Sequence, residues 1–116
     1  MPQSLSRGDV PTLILAVLKH GPLHGYAIAR AIEEWSADAL HLHEGTLYPA
    51  LRQLEKAGVI QSTWEVQELG PARRVYSLTE PGRTEFAKRV EAWESYSAAI
   101  NAVLHPRRKR YGSVTA

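Results

Sequence analysis

The sequence predicts a mainly α-helical fold with a two-stranded β-wing and one long C-terminal helix. Three observations predict it. Apolar residues recur at helical spacing through three segments separated by glycine and proline breaks. After Gly58 the period changes to two, over two runs split by Gly70-Pro71. From Thr79 the helical pattern resumes and continues at heptad spacing to Leu104.

Composition bounds the answer before any element is placed. A chain of 116 residues is one domain by size. Its hydrophobic content of 44% supports a core, but a chain this small buries a modest share of its surface, so oligomerisation is expected. There is no cysteine, which excludes a disulfide framework and a thiolate metal site. No apolar run approaches the ~18 residues of a membrane span, and residues 1–9 carry no signal-peptide core. The expectation is a cytoplasmic protein with no membrane partner. The net charge of +2 misleads. Arg107, Arg108, Lys109 and Arg110 sit together in a short tail. Without them ten basic side chains face twelve acidic ones. Bulk charge is therefore no argument for nucleic acid, and a basic footprint has to come from local segregation.

Asp9 is placed to cap the first helix, with Pro11 in its first turn. Leu13, Ile14, Val17 and Leu18 form a buried face, widened by Leu15, and Gly21-Pro22 ends the helix. A second helix starts near His24. Ile28, Ala31, Ile32 and Trp35 make its inner face, while Arg30, Glu33 and Glu34 point outward; it fades near residues 36–38. Gly25 in its first turn costs roughly 1 kcal/mol against alanine. Close packing and close approach of a ligand phosphate explain it equally well.

Residues 39–43 connect to the third helix. Leu47, Leu51 and Leu54 form its apolar stripe, with Ala50 and Ala57 beside them. Pro49 is comfortable only in a first turn. Thr46 is the natural cap of a short helix, whereas a start at Glu44 leaves a kink or a missing bond near Gly45. Tyr48, Arg52 and Lys56 lie together away from the stripe, and Gly58 stops the helix. A cationic, aromatic outer face suits a DNA major groove, which admits one helix. It is also the ordinary state of a surface helix, so the flanking segments have to decide.

Ile60, Ser62, Trp64 and Val66 alternate with Gln61, Thr63 and Glu65 as a strand. Residues 67–72 turn. Arg73 to Leu78 form the second strand, with Tyr76 and Leu78 on one face. Arg73 and Arg74 stand near the hairpin tip, as a solvated edge or as ligand contacts. Thr79 caps the last helix and Pro81 sits in its first turn. Phe86, Val90, Trp93, Ser97, Ile100 and Leu104 follow at spacings of 4, 3, 4, 3, 4. That is a heptad seam with one small polar position, too long for so small a core to cover. It is expected to pack against a second subunit as a dimerisation helix.

Three helices followed by a hairpin make a winged helix-turn-helix, in which the third helix enters the major groove and the wing meets the backbone. The expected division is 8–78 for the DNA-binding domain, 79–105 for the dimerisation helix and 106–116 for a basic disordered tail. Arg52 and Lys56 then fall on the recognition helix and Arg73 and Arg74 on the wing. Arg52 is the candidate for guanine readout through its fork, and Gln53 a second. Lys56 suits a phosphate. His24, Tyr26, Thr46 and Tyr48 offer polar hydrogens to phosphate oxygens, contacts that fix register without reading sequence. For both tyrosines core packing is the competing assignment, and Tyr76 suits the core better than a contact. Glu44 suits a cap or discrimination against wrong sequences.

The chain resembles the PadR family of bacterial transcriptional regulators. The matching residues are Leu13-Ile14-Leu15, His24-Gly25-Tyr26, Gly45-Thr46-Leu47-Tyr48-Pro49-Ala50-Leu51, Leu54 to Ile60, Trp64, Arg73-Arg74-Val75-Tyr76 and Leu78 to Gly82. The single short C-terminal helix looks like the small subfamily. The resemblance implies a homodimeric repressor on a palindromic operator in double-stranded DNA, released by a small effector. It implies DNA-facing roles for Tyr26, Thr46, Tyr48, Arg52 and the Arg73-Arg74 wing. Pro71, Ala72 and Val75 depart from the family pattern, which puts one wing contact in question. The resemblance also implies that Trp93, with Tyr96 beside it, stacks on a flat hydrophobic or aromatic effector; a plain interface anchor is the competing role.

No enzyme is expected. There is no cysteine nucleophile, no glycine-rich phosphate loop and no acid pair in a recognisable setting. No cofactor is implied. His20, His24, His41 and His43 do not align as metal ligands, because Gly21-Pro22 separates the first pair. The competing non-enzymatic function is a winged-helix module that binds protein and has no specific DNA affinity.

Overall fold

The computed structural model describes residues 3–4 and 8–107. The elements in chain order are β1 (Gln3–Ser4), α1 (Val10–Leu18), β2 (Leu23–His24), α2 (Gly25–Trp35), β3 (Leu40–His41), α3 (Glu44–Lys56), β4 (Ile60–Glu65), β5 (Arg73–Leu78) and α4 (Glu80–Leu104). The fold is mainly helical with a small antiparallel sheet, a winged helix-turn-helix. Residues 108–116, most of the expected basic tail, lie outside the described residues.

The core is one cluster. Ile14, Leu15 and Leu18 of α1, Ile28 and Ile32 of α2, and Leu47, Leu51 and Leu54 of α3 meet at its centre. Ile60, Tyr76 and Leu78 close it from the sheet. The stripes expected on α1 and α3 are the ones buried. Trp35 is a correction. It is 58% exposed and packs edge-on against His20, ring centroids 5.0 Å apart. Helix α1 ends at Leu18, so only the following turn remains to cover the last residue of α2. Asp9 occupies the first cap position without a side-chain cap hydrogen bond. Its backbone is already helical, with φ −87° and ψ −25°, not the extended geometry from which a side chain reaches the free amides.

Helix α3 takes the longer of its two possible starts. His43 is the N-cap, and the Leu47 amide already donates to the His43 carbonyl at 2.9 Å. Pro49 therefore lies inside the helix and has no N–H for the Gly45 carbonyl. Gly45 is exposed, which leaves that end of the ladder open to solvent. The helix ends in a Schellman turn: Gly58 stands at φ 78°, its amide donates to Glu55 and the Val59 amide to Leu54.

The sheet has three strands, not two, in the order β2-β5-β4, all antiparallel. The extra strand pairs Leu23 with Tyr76 and His24 with Val75. Two residues carry no periodicity, so only tertiary pairing reveals them. The same holds for the parallel pair β1–β3, which makes part of the 39–43 connection a strand. In the wing, Ile60 faces Leu78, Ser62 faces Tyr76 and Trp64 faces Arg74. Beyond that point the hairpin projects past the core, which leaves Trp64 65% exposed.

Helix α4 starts at a tight junction. The Thr79 hydroxyl donates to the Gly58 carbonyl at 2.7 Å and accepts from the Gly82 amide at 3.0 Å. Gly82 is buried, and a Cβ there would stand 1.9 Å from the Val59 carbonyl oxygen. Arg89 reaches Thr12 of α1 at 3.5 Å, and Phe86 and Val90 are half-buried. From Glu91 to Leu104 every residue except Ser97 is exposed.

The Gly82 contact is backbone against backbone and cannot yield by a rotamer change. Gly82→Ala should lower stability by about 1–3 kcal/mol, the usual cost of overpacking. Gly45→Ala, with no atom within 4 Å of the new Cβ, should be neutral or stabilising. Urea unfolding of the two variants checks this, and equal midpoints would mean that the junction has slack.

Candidate nucleic-acid interface

Burial of Leu47, Leu51 and Leu54 orients α3 about its axis. Tyr48, Arg52, Gln53 and Lys56 are thereby turned outward and exposed. Thr46, Arg52, Gln53 and Lys56 line one shallow concavity with Val10 and Pro11 of α1. No side chain of Arg52, Gln53 or Lys56 forms a hydrogen bond or ion pair with another described residue. Their donors point at solvent, ready for acceptors on a groove edge or a phosphate.

A second concavity lies where α2 begins, between α3 and the sheet. His24, Tyr26, Tyr48, Arg73 and Arg74 line it, with Tyr76 at its floor. The nine candidate residues thus divide between two neighbouring hollows, joined along α3 by the turn from Tyr48 to Arg52. Gly25 makes the second hollow possible. A Cβ on Gly25 would stand 2.9 Å from Tyr48 Cε1, so the Tyr48 ring lies directly on the first turn of α2. Packing accounts for this glycine.

The tyrosines separate by role. Tyr26 is 60% exposed and Tyr48 37%, each with its ring at the surface. Tyr76 is buried, and that burial raises the pKa of its phenol; Arg74 opposes the shift. It belongs to the core, as expected. Arg30 was not among the sequence-derived contacts, yet its Nη1 donates to the Tyr26 hydroxyl at 3.2 Å and its guanidinium lies 5.8 Å over the Tyr26 ring. The hydrogen bond to Tyr26 is the largest cause of the raised Arg30 pKa, with Glu34 adding to it. The pair presents a hydroxyl and a cation side by side. The spacing of four between Tyr26 and Arg30 on the outer face of α2 was the available signal.

The wing arginines do not act as a pair. Strand alternation sends them to opposite faces. Arg74 shares the face of Tyr76 and Leu78. Its Nε donates to Ser62 Oγ at 2.9 Å, and Ser62 Oγ donates to Glu55 Oε2 at 2.6 Å. Its Nη2 lies 3.6 Å from the same carboxylate, and its guanidinium stacks 5.6 Å from the Trp64 ring centre. Arg73 stands on the other face, opposite Glu65 in the ladder, and is exposed. His24 makes one long contact: its Nε2 lies 3.4 Å from Glu65 Oε1, which brings the start of α2 close to the wing.

Far from this surface, Trp93 and Tyr96 are 59% and 61% exposed on α4, ring centroids 6.3 Å apart and tilted by 45°. Ile100 and Leu104 are also exposed along the same seam. His41 pairs through Nδ1 with Glu33, and its ring meets that of His43 edge-on at 4.5 Å. Among the described residues no three histidine, aspartate or glutamate side chains group as a metal site, and no helix is long and apolar enough to cross a membrane.

Comparison with known proteins agrees with this architecture. The model of the transcriptional regulator PadR-like family matches residues 14–88. The transcriptional regulator Rv3488 of Mycobacterium tuberculosis is 33% identical over 98 residues, which are 84% of this chain and 88% of that protein. Among solved structures, a transcriptional regulator from Clostridium thermocellum superposes with a TM-score of 0.76 at 34% identity, covering 82% of this chain and 89% of that one. A PadR family transcription regulator from Clostridium difficile gives 0.75 at 28% identity, covering 84% and 99%. A matching family model over most of the chain, carried on the same winged fold, makes this protein a member of the PadR-like family of transcriptional regulators.

Proposed function

We propose that the protein is a cytoplasmic repressor that binds a palindromic operator as a homodimer and releases it when a small hydrophobic or aromatic effector binds. The observation that carries the DNA part is the outward face of α3. Arg52, Gln53 and Lys56 stand exposed, their side chains unpaired among the described residues, beside a hollow lined by His24, Tyr26, Tyr48 and the wing. In this reading α3 enters the major groove, with Arg52 reading a guanine and Gln53 a neighbouring base. Lys56, Thr46, Tyr48, Tyr26 and His24 hold phosphates on either side, together with Arg73 of the wing and Arg30 beside Tyr26.

The dimer reading rests on α4. Its second half exposes Trp93, Tyr96, Ile100, Val103 and Leu104, and an apolar surface of that kind marks an interaction site. Phe86 and Val90 continue the seam down to the domain, and Ser97 sits within it. Two-fold pairing through this seam would present two recognition helices to two half-sites, which is why a palindrome is proposed. Residues 8–78 then form the DNA-binding domain and 79–105 the dimerisation helix. Trp93 and Tyr96 offer the flat aromatic surface that a planar effector needs.

Binding of the purified protein to its own upstream DNA and to random DNA, across a salt series, tests the reading. Operator affinity should exceed random affinity and fall steeply with salt. A folded protein with no preference at any salt would instead favour a protein-binding winged helix. Arg52→Ala should cost about 1–3 kcal/mol of operator binding and relax one base position; equal loss on random DNA would make Arg52 a phosphate contact only. Ile100→Glu should shift sedimentation from dimer to monomer and weaken operator binding with it. A dimer that survives this charge would remove the seam from the interface.

A further inference from the structure

The chain Glu55–Ser62–Arg74–Trp64 links the recognition helix to both strands of the wing. We propose that Glu55 is a positioning residue, which holds Arg74 through Ser62 as an internal strut and leaves Arg73 as the wing's phosphate-binding cation. The proposal rests on the DNA-binding reading above and deepens it.

Four observations carry it. First, Ser62 Oγ donates its only proton to Glu55 Oε2 at 2.6 Å, a short bond to a charged acceptor. That donation turns the oxygen's lone pairs away from Glu55, and Arg74 Nε donates into one of them at 2.9 Å. The two bonds polarise one another in the same sense. Second, Arg74 Nη2 is 3.6 Å from the same carboxylate oxygen, so the cation also meets the charge directly. Third, the flat guanidinium covers Trp64, its directly opposed partner in the ladder, at 5.6 Å. Fourth, strand alternation places Arg74 on the core-facing side with Tyr76 and Leu78, whereas Arg73 lies on the opposite side with no ion pair among the described residues.

The pair is partly exposed, with side chains 47% and 32% accessible, and a lone surface pair of that kind has little hold. Here the same guanidinium is held from three sides at once. To reach a phosphate, Arg74 would have to leave a carboxylate, a hydroxyl and an aromatic face. The arrangement sets the distance between wing and recognition helix. It also removes one cation from sequence-independent attraction, which keeps affinity dependent on α3.

The test is a double-mutant cycle read by the slope of log affinity against log salt, whose steepness changes by about 0.9 for each phosphate the protein neutralises. Arg73→Gln should flatten the slope by about 0.9 per protomer, and Arg74→Gln should leave it unchanged while lowering the melting temperature. Glu55→Ala should release Arg74 and steepen the slope by a similar amount, with random DNA gaining more than the operator. Adding Arg74→Gln to Glu55→Ala should restore the wild-type slope. Alanine suits a helix interior, and Ser62→Ala serves the same purpose if circular dichroism shows that the Glu55 variant does not fold. A slope flattened equally by Arg74→Gln and Arg73→Gln would overturn the proposal, because Arg74 would then bind a phosphate itself. So would a wild-type slope in folded Glu55→Ala. Wild-type protein without salt-dependent DNA affinity would remove the DNA-binding reading itself and the proposal with it.

Discussion

The meeting of Gly58, Val59, Thr79 and Gly82 is the constraint on which the rest of the molecule depends. Helices α3 and α4 never run side by side here; they communicate through their ends. The Thr79 side chain spans the gap, donating to the Gly58 carbonyl and accepting from Gly82. Its own amide donates to Val59 at 3.2 Å. Gly82 then rests against the Val59 carbonyl with no room for a side chain. Each of these contacts has backbone on at least one side, and the Thr79 rotamer is held by two hydrogen bonds, so the angle between α3 and α4 has little room to adjust. In the proposed dimer that angle becomes the separation of two recognition helices, and hence the spacing of half-sites.

A second constraint fixes how α3 rolls about its axis. Three leucines buried on one side leave no freedom for the outer face. Tyr48 contributes by lying on Gly25, which registers the start of α2 against the middle of α3. The wing is registered twice, by β2 pairing with β5 and by the Glu55–Ser62–Arg74 chain. Each candidate contact therefore sits on a regular element held by packing or pairing, not on an unsupported loop. Groups presented in this way lose little further freedom on meeting a rigid duplex.

Much of this was legible in the sequence because the decisive signals are local. Leucine spacing, Gly58 and the Thr79-Glu80-Pro81-Gly82 start each act within a few residues, and each places its element. The features that were not legible depend on partners distant in sequence. Strand β2 is two residues long and exists only because β5 lies beside it. Trp35 has the right spacing for an inner face, but the helix it should meet ends too soon. Pro49 sits within α3 because the one acceptor it leaves without an amide belongs to Gly45, which is exposed. In the candidate site, the outward placement of Arg52 and Lys56 could be read from helical phase alone. The division between Arg73 and Arg74 was also present in the alternation with Tyr76 and Leu78. Grouping the arginines as one basic feature concealed it. The occupation of Arg74 could not be inferred, since Glu55 is 19 positions away in the chain and on another element.

Charge distribution ties these points to selectivity. Without the tail cluster the chain carries ten bases against twelve acids, so it has no bulk attraction for a polyanion. Three acids near the candidate surface are engaged locally: Glu55 with Arg74, Glu65 with His24, Glu33 with His41. What remains directed outward on this surface is a short set of cations, Arg52 and Lys56 on α3, Arg30 beside Tyr26 on α2 and Arg73 on the wing. Sequence-independent affinity scales with the number of phosphates neutralised, so in the proposed complex a set this small, the tail cluster aside, would hold random DNA weakly. Specific contacts at base edges would then make up a larger share of the total. For a regulator that must find one site among a vast excess of others, the ratio of specific to nonspecific affinity matters more than either value alone. A nearly neutral body with a few well-placed cations raises that ratio by lowering its denominator.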